Sequence, residues 1–231
     1  MDSIYKRVYE KVVSLYKTDK HFCSGPHDET FFSLRVYETA KKIIAGISDK
    51  VDEEVVLLAC ILHDVGKIKI DGDTLFALDE KNASGRKTTA IESKDAWKIW
   101  HEHPYLSVPI AKDILTQENV SEDKIEAICH LVEYHAHHDT YENDKSIELK
   151  IMQDADIIAD VGISGFIRGY LYAGKFRIPT IEQIRFMQSQ SRIKEGHEFN
   201  LSFSKTLAKE QQKIQDELSS KMAELIESDV L

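Results

Sequence analysis

The residues of this chain best suited to chemistry are His63 and Asp64, an imidazole and a carboxylate side by side, with Gly66 and Lys67 directly after them. Such a pair can share a divalent ion, pass a proton or hold a water molecule. A lysine nearby adds a charge that suits phosphate. Further along stand His103 followed by Pro104, the group His135, His137 and His138, and Asp154 with Asp156. Each of these has an ordinary explanation when taken alone. Histidines at helix ends favour the helix dipole, and His103 before a helix start reads as a solvated surface group. Residues two apart do not share a helix face, so at most one of Asp154 and Asp156 enters a buried site, and the other caps or pairs. Asp64 resists that treatment, because a carboxylate is unfavourable at a helix C-terminus.

The elements that must position these groups read as helices. Val55 to Leu62 is apolar without a break and leads straight into His63-Asp64. A helix apolar all round is buried, and an ionisable pair at its end costs several kcal/mol, about 2–7 even for one neutral polar group, unless something compensates. A divalent ion would. Two adjacent helical residues project about 100° apart, so both reach one ion only where the chain is leaving the helix, which Gly66 permits. Asp52, Glu53 and Glu54 open that helix with acids at its positive end.

Residues 3–17 form an amphipathic pattern with Ile4, Val8, Val12 and Leu15 on one stripe. A second helix runs from an N-cap at Asp28 to Ala45, with Phe31, Leu34, Val36, Ala40 and Ile43 inward. From Lys67 to about Glu92 the pattern dissolves into a long polar loop of the kind that lines a pocket. Pro104 suits a first helical position, Ser121 caps another helix, and Leu149 to Ile158 forms the next. Gly162, Gly165 and Gly169 allow close helix packing. Helices near Ile181–Ile193 and Ser204–Ser228 follow. In the last, Leu207, Ile214, Leu218, Met222 and Leu225 form a stripe that either docks on its own domain, the reading favoured here, or serves as a homodimer seam. The expected class is all-α, one domain over 1–231 with about eight to ten helices, its core at about 20–195 and residues 196–231 a C-terminal helix packed on it.

The 231 residues carry 40 acidic against 30 basic side chains, a net charge of −10, which argues against a nucleic-acid polymer as partner. An anionic small molecule remains compatible, since a metal and a few local cations attract phosphate within an acidic protein. No apolar run approaches the roughly 18 residues of a membrane span, so no membrane partner is expected. The N-terminus lacks a signal-peptide pattern. Cys23, Cys60 and Cys129 are an odd, widely spaced set that suits a reducing compartment, so a cytoplasmic protein is expected.

The ordered set His63-Asp64-Val-Gly-Lys67, His103-Pro-x-x-Ser107, the histidines around 135 and Asp154-Ala-Asp156 resembles the HD-domain metal-dependent phosphohydrolases. The run Gly162-x-x-Gly165-x-x-Arg168, with Gly174 and the Ile181-Glu182 helix beyond it, is similar to a bacterial subgroup acting on nucleotides. The resemblance spans about residues 20–195. It implies that His63, Asp64 and Asp156 are metal ligands, Asp156 rather than Asp154 because the family's ligand follows an Ala and precedes apolar residues. It implies that His103 and His135 bind a second metal or the substrate's phosphate. Asp64 and Lys67 take the catalytic roles, Lys67 facing phosphate or a leaving oxygen, and Arg168 meets developing negative charge. The ion would be Mn²⁺, Fe²⁺, Mg²⁺ or Zn²⁺, and the partner a phosphorylated small molecule.

One departure stands out. The family's first histidine precedes an Arg-Val pair by three residues, and here Phe32 stands three before Arg35-Val36. Either His27 supplies that ligand after a shift in the turn, or the site has lost one imidazole. Three functions follow as expectations: hydrolysis of a phosphate ester or anhydride in a nucleotide-like molecule, a catalytically degenerate nucleotide- or metal-binding regulatory module, and oxygen activation at a di-iron centre. The last needs more histidines than the matching places hold.

Overall fold

The computed structural model describes residues 3–18, 29–70, 94–137, 145–175, 180–189 and 197–229. Among them the chain is helical throughout, with no strand. The order is α1 (Ser3–Thr18), α2 (Glu29–Gly46), α3 (Glu53–Leu62), a 3₁₀ turn η1 (Val65–Lys69), α4 (Lys94–Trp100), α5 (His103–Gln117), α6 (Glu122–Tyr134), α7 (Ile147–Ala159), α8 (Gly162–Lys175), α9 (Thr180–Ser189) and α10 (Ser202–Asp229). The expected all-α class is what the structure has.

α3 is the axis of this arrangement. Every residue from Val55 to Leu62 is buried, because α1, α2, α6 and α7 pack around it on all sides. Removing one such aliphatic side chain from water is worth about 1.5–3 kcal/mol, so the helix that carries His63 and Asp64 is anchored before either does anything. Its free N-terminal amides are met by Asp52, whose side chain accepts from the Val55 N–H at 3.3 Å. Glu54 pairs with Lys124 of α6 at 3.1 Å.

Two expectations about inward faces need correction. On α2, Phe31 is 43% exposed, and its neighbour Phe32 is buried with Val36, Ala40 and Ile43. Val36, Ala40 and Ile43 face inward as expected, and the difference lies in the first turn, where Phe32 instead of Phe31 is buried and stands against the site. On α10, the side chains that vanish are Ser204, Ala208, Gln212, Gln215 and Ser219, whereas Leu225 is half exposed. Small and amide side chains let α8 and α9 approach closely there, and Gln215 accepts the Gly162 N–H at 3.1 Å. Gly162 has φ +78, a conformation that favours glycine, and so turns the chain from α7 into α8.

His27 and Asp28, His138 and the polar stretch 71–93 lie outside the described residues, so the expectations resting on them have no structural counterpart.

Candidate metal centre

Three histidines share one device. His63 follows the last residue of α3, His135 follows α6, and His103 comes just after α4 at the start of α5. The last carbonyls of a helix lack intrahelical donors. Each imidazole meets one: His63 Nδ1–H donates to the Cys60 carbonyl at 2.8 Å, His103 to Trp100 at 2.6 Å and His135 to Val132 at 2.7 Å. A carbonyl only accepts, so Nδ1 carries the proton in all three. Nε2 of each neutral ring therefore presents a lone pair.

The three Nε2 atoms converge on Asp64. Its carboxylate lies 3.2 Å from His63 Nε2, 3.1 Å from His103 Nε2 and 3.7 Å from His135 Nε2. Asp156, on α7, sits 3.4 Å from His63 Nε2. His103 and His135 face each other, Nε2 to Nε2, at 3.1 Å. Lone pairs aimed at carboxylate oxygens and at one another repel unless positive charge lies between them.

Protonation meets part of that need. Burial disfavours the charged form of His63, but Asp64 and Asp156 overcome it and raise the imidazole to about 10. His103 goes the other way, lowered by burial to about 4 despite Asp64 beside it. Burial alone would raise the Asp64 carboxyl, yet the charges of His63 and Lys67 hold it well below the usual carboxylate range. Asp156 is likewise depressed against its burial, chiefly by His63. His63 Nε2 is nonetheless fully buried and makes no well-aligned hydrogen bond. It stands within 3.5 Å of two carboxylates without the angles of a donor to either. That is the arrangement of a ligand atom, and donor atoms of His63, Asp64 and His135 lie within 4.8 Å of one another. A mixed imidazole and carboxylate set of this kind fits a divalent first-row metal or magnesium.

The turn after Asp64 registers the two halves of the centre. Asp64 leaves α3 at φ −99, ψ 1, and its carbonyl accepts the Lys67 N–H at 2.9 Å. A Cβ on Gly66 would sit 2.5 Å from the His103 carbonyl oxygen and 2.7 Å from the Leu106 carbonyl carbon, so only glycine lets η1 touch α5. Ser107 clasps the contact, its Oγ accepting the Gly66 N–H at 2.8 Å and donating to the His103 carbonyl at 2.8 Å. Gln153 of α7 ties in the segment after His135, donating to the carbonyls of Tyr134 at 2.9 Å and His137 at 3.2 Å.

The remaining candidates fall in different places. Lys67 is 5% exposed, 2.6 Å from Asp64 Oδ2 and 4.5 Å above the Trp100 ring. Asp154 turns away from the centre and accepts from the Asn200 and Leu201 amides at 2.9 and 3.0 Å, capping the approach to α10. Arg168 does not join the donors. It pairs with Asp160 at 3.3 Å and lies over the Phe32 ring at 4.1 Å, while that ring is 6.0 Å from the His63 ring. Ser107, Gln153 and Trp100 escaped the sequence reading as positioning groups. The one available signal was spacing, since each of the three histidines takes a carbonyl three residues earlier.

Residues 33–160 match the HD domain family. The chain belongs to the HD-domain family. As a class, HD domains are metal-dependent phosphohydrolases, and the matched span contains every donor described above. α1, α8, α9 and α10 lie outside it. Among solved structures the HD chain is similar to the Lin1889 protein of Listeria innocua, with 16% identity, 96% of each chain covered and a TM-score of 0.55. It is also similar to Bacillus subtilis YpgQ in complex with ADP, at 16% identity, 94% and 97% coverage and a TM-score of 0.53. A Lactobacillus plantarum protein aligns over 99% of both chains at 17% identity, with a TM-score of 0.53. At such identities the likeness is one of fold. No curated protein matches the chain. Among the described residues no helix is long and apolar enough to cross a membrane.

Proposed function

We propose that this HD protein hydrolyses a phosphate ester or anhydride in a nucleotide-like small molecule, using a divalent ion held at His63, Asp64, Asp156 and His135, with His103 beside them. The observation that carries this reading is the buried Nε2 of His63, close to two carboxylates without an aligned hydrogen bond, with the Nε2 atoms of His103 and His135 converging on the same Asp64. Family membership supports the reaction class, and the ADP bound to YpgQ supports a nucleotide-like substrate.

The ion would supply a Lewis acid for a phosphoryl oxygen and acidify a water molecule. Everything else is work for this chain's side chains. Asp64 stays ionised and accepts hydrogen bonds, so it orients a water for in-line attack. Asp156, with 15% of its side chain exposed against 2% for Asp64, marks the side open to substrate. Lys67 holds the Asp64 carboxylate in place, and its ammonium, caged by Trp100, adds positive charge where negative charge develops. Arg168, separated from the donors by Phe32, would act on a more distant part of a phosphorylated ligand. The acidic chain as a whole disfavours a nucleic-acid polymer, and the buried thiol of Cys60, pushed up by burial, is at home in a reducing cytoplasm.

A second reading draws on Phe32. If that ring has replaced a ligand, the protein is a nucleotide- or metal-responsive binding module. Metal analysis of the purified protein, followed by a screen of phosphorylated metabolites with Mn²⁺, Mg²⁺ and Co²⁺, separates the two. Phosphate release with one of these ions supports the hydrolase. Metal binding without turnover on any substrate favours the module, and protein that takes up no ion and stays inactive with every ion supplied sinks the hydrolase.

A further inference from the structure

The HD pair is held from a direction that the matched family span does not include. α1 buries Val8, Val12 and Tyr16, one residue per turn, against α3 and η1. Arg7 and Lys11 on another face of the same helix both pair with Glu118 at the end of α5, Lys11 at 3.0 Å. α1 therefore packs on α3 and η1, which flank Asp64, and is pinned at the same time to the end of α5. In its last full turn the buried Tyr16 hydroxyl donates to the main-chain carbonyl of Asp64 at 2.9 Å.

That carbonyl is a sensitive place. Asp64 lies at φ −99, ψ 1, in the sparsely populated bridge between the helical and extended regions. Its carbonyl accepts from the Lys67 N–H at 2.9 Å as well as from Tyr16. One donor is local to the turn; the other comes from 48 residues earlier in the chain. Two donors on one carbonyl fix the plane of the Asp64–Val65 peptide. The direction of the Asp64 side chain follows from that plane, and with it the distances from its carboxylate to His63, His103 and His135.

We propose that Tyr16 is a positioning residue: through its hydroxyl, α1 holds the Asp64 turn in its ligand-binding geometry. The proposal deepens the metal-centre reading and rests on Asp64 being a ligand, but the brace itself is a property of the metal-free protein. It also explains why a tyrosine closes the α1 stripe, where an aliphatic residue would fill the same face.

Tyr16→Phe keeps the ring and removes the donor, and Tyr37→Phe, another buried tyrosine, serves as control. Amide hydrogen exchange is measured first, on the full-length metal-free proteins. Tyr16→Phe should speed exchange over residues 64–67 by about threefold to tenfold, as expected for one neutral hydrogen bond, while α1 and α3 keep their protection. Titration with Mn²⁺ should then show a dissociation constant weakened by a similar factor, about threefold to tenfold. Tyr37→Phe should change neither. Unchanged exchange over 64–67 overturns the proposal, as does a uniform acceleration across α1 and α3, which would mean that the hydroxyl serves the bundle as a whole. Faster exchange with unaltered Mn²⁺ affinity also overturns it. If the unmutated protein binds no divalent ion, the hydrolase reading fails instead, and the exchange measurement still decides whether Tyr16 braces the turn.

Discussion

Two walls of the same centre are built on opposite principles. The wall formed by α3, η1, α5 and α6 presents imidazole and carboxylate atoms, and nearly every one is tied down. Three ring nitrogens are locked to helix-end carbonyls, Lys67 is bonded to Asp64, and Ser107 clasps Gly66 to His103. The wall formed by α2 and α8 presents a phenylalanine with a guanidinium behind it. Among the described residues it offers no ligand atom to His63, only a ring 6.0 Å from the imidazole. The difference teaches that the imidazole and carboxylate atoms here come from one side. The Phe32 ring covers that side of His63 with apolar surface, and a neighbour of low polarity strengthens electrostatic effects on the donor wall.

That contrast can be broken from either side. Asp64→Ala should have the largest effect, because Asp64 faces all three imidazoles. Phosphohydrolase turnover is expected to fall by at least about a thousandfold, with the far-ultraviolet circular dichroism of a helical protein retained. Asp156→Ala should come next, with loss of metal and of turnover but a folded protein, since it removes one donor and leaves the Asp64 cluster. Gly66→Ala tests the junction within the donor wall. A Cβ there meets the α5 backbone, so His103 should move away from Asp64, and a destabilisation of about 1–3 kcal/mol should appear in denaturant unfolding. Phe32→His sharpens the comparison from the other side. A new imidazole on the aromatic wall should tighten Mn²⁺ binding by about tenfold if that wall merely lacks a ligand, and unchanged affinity would show that the donor wall is self-sufficient. Asp154→Ala should matter least for activity. Its loss should appear as about 1–2 kcal/mol of stability, through the uncapped amides of Asn200 and Leu201. Equal losses of turnover from the Asp154 and Asp156 variants would contradict the placement of these two carboxylates.

Much of the donor wall was legible in the sequence. An apolar run ending in an imidazole and a carboxylate is a local contradiction, and local contradictions mark functional sites. His103 and His135 were ordinary one at a time and became informative only as part of an ordered set. The property that made them look bland, a place at a helix end, is what fixes their tautomers. The aromatic wall was harder to read. With two adjacent phenylalanines, a shift of one residue in the inward arc decides which ring is buried, and composition is silent on it. Ser107, Gln153 and Tyr16 act through hydrogen bonds between elements distant in sequence, which leave no periodic trace. The stripe of α10 misled for a different reason. Its buried face is made of serine, alanine and glutamine, chosen for close approach, while the larger aliphatic side chains sit at its margins.

The donors around Asp64 are proposed to form a metal site. The most direct measurement is calorimetric titration of metal-free protein with Mn²⁺, wild type beside Asp64→Ala. A saturable binding isotherm in the wild type that vanishes in the variant is the predicted result. An isotherm that survives Asp64→Ala unchanged, or a wild type that takes up no ion, would contradict it.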